Sequence, residues 1–262
     1  MVSYIVAGNE LEVTKYLYEN IGKDLPFLGA IKEIGYPTNC GVGAYLPIKN
    51  KSDINKVRTE GANKKADIYI NGIGVSIKQA PTSPLYNRLQ RDNIVSVFKA
   101  AGFSNIDRKI EDLDGYIAKY QYGELDSRDI AWNIVFNKND FSDLLELLMM
   151  KYSPNLGFSE HPASFILEAP TPLISSNDIG VYTFENYFDA FKDRIVISLR
   201  RSWIGQTSNS EHRRALGLAR KKGNAPWVFD GVSKKGGPRG WRADFDENQR
   251  KTVYYLIIYK NA

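Results

Sequence analysis

Asp67, Ser76 and Lys78 are residues whose types and spacing suggest chemistry. They lie in ADIYINGIGVSIKQ, residues 66–79, two β-rich runs joined at Asn71-Gly72. Asn-Gly is the strongest short-range hairpin signal, because both central residues of a type I′ turn need positive φ. With that turn, Ile70 faces Ile73 and opposed residue numbers sum to 143. Asp67 then lies opposite Ser76, and Lys78 shares their face, diagonal to Asp67. Tyr69 and Gly74 complete this face. Ala66, Ile68, Ile70, Ile73, Val75 and Ile77 form an apolar opposite face. A register slip of one residue would exchange the two sets.

An acid and a lysine on adjacent strands suit metal-dependent phosphodiester cleavage. The carboxylate offers oxygen to Mg²⁺. The metal polarises the phosphate and activates water. The lysine orients that water or offsets charge building on the phosphate oxygens. The same pair also reads as a salt bridge across a surface hairpin.

Asp67 followed by Ser76-Ile77-Lys78 resembles the core of the PD-(D/E)xK nucleases, especially type II restriction endonucleases. Their pattern is an acid at a strand start, then acid-x-lysine on the next strand. Ala66 stands where the family has proline, and Ser76 where it has the second acid. The resemblance covers roughly residues 60–95. It implies a restriction-endonuclease-like core and hydrolysis with Mg²⁺ that leaves a 5′-phosphate and a 3′-hydroxyl. It also implies a metal contact from the carbonyl of Ile77. Some Ser-x-Lys members take the missing acid from the following helix, about 14 residues after the lysine, which here is Asp92. Others use a glutamate from a helix before the hairpin, for which Glu60 and Glu12 are candidates. All three acids also read as ordinary helix-surface residues.

The elements around the hairpin follow from periodicity and punctuation. Residues 9–21 read as a helix with Asn9 as cap, and 52–63 as a short polar helix. Pro81, Ser83 and Pro84 suggest a loop. Residues 84–101 read as a helix ending near Gly102, which puts Leu85, Leu89 and Asp92 on one stripe. Further helices are expected over 106–119 and 140–152, the latter capped by Asp140. Strands are expected at 130–136, 164–168, 194–200 and 253–259. This mixed order predicts an α/β (α+β) protein with a central mixed sheet flanked by helices.

The chain has 262 residues, and 43% are hydrophobic and 25% charged, a globular composition. One cysteine, Cys40, excludes an internal disulfide, and two histidines, His161 and His212, leave little for a His-based metal site. The GVGAY stretch, 41–45, lacks the Gly-Lys-Ser/Thr ending of a phosphate loop. No apolar run approaches the ~20 residues of a membrane span, and the N-terminus lacks a basic n-region. The expected location is cytoplasmic.

The net charge of +5 hides an asymmetry: residues 194–262 hold 15 Lys or Arg and 5 Asp or Glu, and residues 1–193 hold 20 and 25. A basic segment interleaved with tryptophan suggests a polyanionic partner, although a solvated basic surface has the same composition. Base edges suit Arg, Asn and Gln, and phosphates suit Lys. The candidate contacts to double-stranded DNA are Asn87, Arg88 and Arg91 after the hairpin, then Arg200, Arg201, Trp203, Gln206, Ser208, Asn209, Arg213, Arg214, Arg220, Lys221, Lys222, Lys234, Lys235 and Arg239. The expected organisation is a nuclease core over 1–193 and a basic recognition segment over 194–262. The expectation is a homodimeric, site-specific DNA endonuclease that uses Mg²⁺. A non-catalytic DNA-binding protein and a repair or recombination nuclease are the alternatives.

Overall fold

The computed structural model describes residues 9–54, 64–121, 124–125, 127–154, 156–173, 175–203, 228–229 and 252–262. It is a mixed α/β structure that divides into two compact units. The first comprises residues 1–85, 142–195 and 260–262, and the second residues 86–141 and 196–259. The sequence reading set a single boundary at 193/194. The basic segment instead shares a sheet with the middle of the chain, because Val196, Ile197 and Ser198 pair antiparallel with Ala131, Ile130 and Asp129.

The first unit is built on a six-stranded sheet. Its strands run in the spatial order Gly180–Tyr182, Phe165–Ala169, Ile73–Gln79, Ile68–Ile70, Ile34–Pro37 and Tyr45–Pro47. Phe165–Ala169 runs parallel to Ile73–Gln79, and the other neighbours in this sheet are antiparallel, so the sheet is mixed. Its apolar side buries Ile68, Ile70, Val75, Ile77, Leu167 and Ala169. Val13 and Leu17, from the helix Glu10–Glu19, join this core and are fully inaccessible. Val13, Thr14 and Leu17 make one stripe, which sets how this helix lies on the core.

The second unit has its own five-stranded sheet, in which Ile195–Trp203 and Thr252–Lys260 are the long strands. Its core is aromatic. Phe98 packs on Phe103 and Phe136 at centroid distances of 4.9 and 5.8 Å, and Trp132 stacks on Phe141 at 4.8 Å.

Several sequence expectations change here. Residues 83–90 form a strand where a loop and the start of a helix were expected, and the helix is only Arg91–Ala100. Strand 130–136 reduces to Asp129–Ala131 followed by a 3-10 turn. The helix expected over 140–152 runs Lys138–Glu146 and continues as a π-turn, Leu147–Lys151. Its cap is Asn137, whose Oδ1 accepts the Asp140 N–H at 2.9 Å, and not Asp140. Asn9 stands at the first helix's cap position, but its side chain donates to the Ala169 carbonyl at 2.7 Å. The helix after Ser52 is described only as Lys51–Ile54. No helix among the described residues is long and apolar enough to cross a membrane.

Candidate active site

The hairpin register is the one the Asn-Gly turn demands. Ile68 pairs with Val75, Tyr69 with Gly74 and Ile70 with Ile73. Asn71 and Gly72 have φ of 51° and 79°, as a type I′ turn requires. The Asn71 side chain anchors the turn as well. Its Oδ1 accepts the N–H groups of Lys32 and Glu33, and its Nδ2 donates to the carbonyls of Leu28 and Ala30. Ala66 is buried, but it precedes the regular ladder. A β-carbon at Gly74 would lie 3.0 Å from that of Ala66 and 2.4 Å from the Pro162 carbonyl oxygen.

Asp67 sits immediately before the ladder, and its N–H donates to Val75 O at 2.9 Å. Its Oδ2 accepts the Ile77 N–H at 2.6 Å and the Ser76 hydroxyl at 3.3 Å. Ser76 therefore meets Asp67 as expected, in the role of donor. The observed contact of Ile77 is through its N–H, whereas the resemblance implied its carbonyl. Burial holds the Asp67 carboxyl above its ordinary range, against the opposing pull of Lys78, both hydrogen bonds and Lys65.

The structure adds an acid that sequence reasoning missed. Glu10, in the first turn of the helix Glu10–Glu19, feels the charges of Asp67 and Lys78. A helix N-terminus favours a carboxylate. Burial and the Asp67 charge win nonetheless, and Glu10 is pushed up to about 7 with Lys78 opposing. The signal was available: Glu10 continues the buried stripe of Val13, Thr14 and Leu17 at helical spacing. Glu12 does other work, accepting the Leu173 N–H at 2.7 Å.

Lys65 was missed too. Its Nζ donates to the Leu148 carbonyl at 2.8 Å, within the π-turn. Burial, then Lys78, pulls it down to about 8, while Asp67 acts in the opposite sense. Glu10, Lys65, Asp67 and Lys78 thus form one partly buried cluster of two carboxyls and two ammoniums. Each acid is disfavoured as an anion by burial, and the Asp67 charge adds to the burden of Glu10. A divalent cation shared by both would relieve it, and Mg²⁺ needs only one or two carboxylates because it retains waters. Among the described residues no group of three or more His, Cys, Asp or Glu could hold a metal.

The remaining candidates lie elsewhere. Asp92 is the second residue of the helix Arg91–Ala100, in the second unit. The stripe that joined it to Leu85 and Leu89 does not exist, because those two leucines are on the preceding strand. Asn87 is exposed on that strand. Arg88 shares the strand, and Arg91 opens the helix. Arg200, Arg201 and Trp203 lie on the strand Ile195–Trp203. Glu60, and the candidates from Gln206 to Arg239, lie outside the described residues.

His161 is structural. It is buried, with Nε2 2.7 Å from the Thr38 carbonyl oxygen and Nδ1 2.9 Å from the Tyr69 hydroxyl. A carbonyl only accepts, so Nε2 donates, and in the neutral ring Nδ1 accepts from Tyr69. Cys40 is exposed in a turn. Comparison with protein-family models, with curated proteins and with solved structures gives no match.

Proposed function

We propose that this chain is a Mg²⁺-dependent endonuclease of double-stranded DNA, similar in its core to type II restriction enzymes. The observation that carries the reading is that the helix Glu10–Glu19 is tied to the sheet beside the hairpin, Asn9 donating to the carbonyl of Ala169, the register partner of Gln79, so that Glu10 feels the charges of Asp67 and Lys78. It supplies the second acid that Ser76 does not, in the place that the sequence offered to Asp92 or Glu60.

Glu10 and Asp67 would hold the cation. Bound Mg²⁺ supplies Lewis-acid polarisation of the scissile phosphate and lowers the pKa of a coordinated water. The Ser76 hydroxyl and the Ile77 N–H fix the Asp67 carboxylate. Lys78 orients the attacking water opposite the leaving oxygen. The P–O3′ bond breaks, leaving a 5′-phosphate and a 3′-hydroxyl. The basic residues of 194–262, the buried Lys260 excepted, draw the polyanion, with lysines at its phosphates. A two-fold dimer matches a palindromic site by shared symmetry.

Purified protein incubated with unmethylated plasmid DNA and Mg²⁺ tests this. Discrete fragments that vanish with EDTA are the expected result. The basic segment also fits a DNA-binding protein without chemistry. Lys78→Ala separates the two: a nuclease loses cleavage and keeps binding, whereas intact DNA with wild-type protein across several substrates leaves only the binder.

A further inference from the structure

We propose that the loop over residues 38–44 enters a groove of double-stranded DNA and touches base edges beside the phosphodiester on which Asp67 and Lys78 act. The inference rests on the nuclease reading and adds a specificity surface to it. Strand register supplies the placement. Ile34 pairs with Ile70 and Gly35 with Tyr69, and continuing that register brings Pro37 level with Asp67. The loop that follows Pro37 therefore lies beyond Asp67. This is the end of the sheet where the strand Ile68–Ile70 begins and its antiparallel neighbour Ile73–Gln79 finishes.

The backbone braces the loop. The Thr38 N–H donates to Ala44 O at 2.9 Å, the Ala44 N–H to Gly41 O at 3.1 Å and the Gly43 N–H to Glu160 O at 2.8 Å. His161 Nε2 holds the Thr38 carbonyl at 2.7 Å. This frame presents Val42, which at 81% is the most exposed large apolar residue among the described residues. A β-carbon on Gly41 or Gly43 would meet nothing within 4 Å, so the valine stands clear on both sides. Asn39 and Cys40 are exposed with it. The stretch TNCGVGA carries no charge. A chargeless tip cannot neutralise phosphates, which position a protein on DNA. An exposed amide and an apolar knob suit base edges, which specify. Binding residues concentrate on loops that a rigid scaffold positions.

The competing reading is an ordinary surface turn, since single exposed apolar side chains are common. Cys40 is the only cysteine of the chain, so the unaltered protein carries its own probe. Its alkylation by iodoacetamide, a neutral reagent, is followed with and without saturating unmethylated plasmid DNA in EDTA. A loop seated in a groove should slow the reaction about tenfold by closing access to the thiol. Val42→Asp sets an acid against the polyanion and should weaken plasmid binding about tenfold. Its Tm should stay within about 2 °C of wild type, because the site is exposed. Val42→Lys should steepen the dependence of log affinity on log salt by about one. Alkylation of DNA-saturated protein at the DNA-free rate overturns the proposal. A Val42→Asp affinity within about twofold of wild type overturns it too. Wild-type protein that binds plasmid and leaves it intact with Mg²⁺ overturns the nuclease reading alone, and the Cys40 rates still decide whether the loop meets DNA. Wild-type protein that binds no DNA overturns both.

Discussion

Two clusters of charge meet on neighbouring strands of the six-stranded sheet and are balanced in opposite ways. Lys78 and Glu168 are direct neighbours in the parallel register. Glu168 forms a buried ion pair with Lys260, whose side chain is fully inaccessible. The Lys260 ammonium also lies 4.2 Å from the Phe191 ring centroid and 5.3 Å from that of Tyr187. One cation meets one anion, and aromatic faces cover what remains. Glu10, Lys65, Asp67 and Lys78 instead crowd like charges together, and burial pushes both acids up and Lys65 down. Burial lowers Lys260 as well, but its hydrogen bond to Glu168 opposes that pull within the pair. A cluster strained in both signs is poised for a cation and an anion from outside, which makes it the functional candidate.

The sharpest way to break this contrast is to remove one charge from each cluster. Asp67→Asn should cut Mg²⁺-dependent plasmid cleavage by about 10³-fold or more with DNA binding retained, because a metal ligand is lost. Preserved cleavage would reduce the site to a salt-bridge network. Lys260→Met should instead cost about 3–5 kcal/mol of stability in denaturant titration, since it leaves Glu168 buried without its partner. The Glu168→Gln, Lys260→Met double variant should recover much of that loss. Failure to recover would show that the pair is not self-contained.

A smaller effect has the opposite sign. Glu10→Gln should raise stability at pH 8 by about 1–3 kcal/mol, and it should abolish cleavage. Glu10's folded value of about 7 exceeds its ordinary 4.5, so between these the folded state binds more protons than the unfolded one. Wild-type stability contributed by Glu10 therefore falls as pH rises from 4.5 to about 7 and is level above. Thermal melts should show this slope without metal, a shallower one with Mg²⁺, and none attributable to residue 10 in Glu10→Gln. Lys65 works on the alkaline side. Its folded value of about 8 lies below 10.5, so its destabilisation is full below 8 and fades as pH rises towards 10.5. The smallest change should come from Gly72→Ala, about 1 kcal/mol, because φ of 79° disfavours a β-carbon there.

The sequence misled where one spacing satisfied two periods. Leu85 and Leu89 are four apart, which suits one face of a helix or alternate positions of a strand. Ser83, Leu85 and Leu89 are buried at odd positions while Pro84 and Gln90 are exposed, an alternation that the exposed Asn87 interrupts. That error placed Asp92 on a stripe it does not share. Glu10 was passed over for Glu12, although only Glu10 extends the buried stripe of its helix.

The hairpin could be read from residues 66–79 alone. Asn71-Gly72 fixes the turn, the turn fixes the register, and the register brings Asp67 to Ser76, all through contacts within about a dozen residues. The strands at Phe165–Ala169 and Thr252–Lys260 were legible for the same reason, as local apolar runs. What joins that hairpin was decided by tertiary structure. Glu10 arrives on a helix from the start of the chain, the Leu148 carbonyl that seats Lys65 comes from a π-turn, and Lys260 reaches Glu168 across 92 residues. Local sequence rules act over a turn or a strand pair. The placement of a buried charge depends on the desolvation and the partners that only the assembled core supplies.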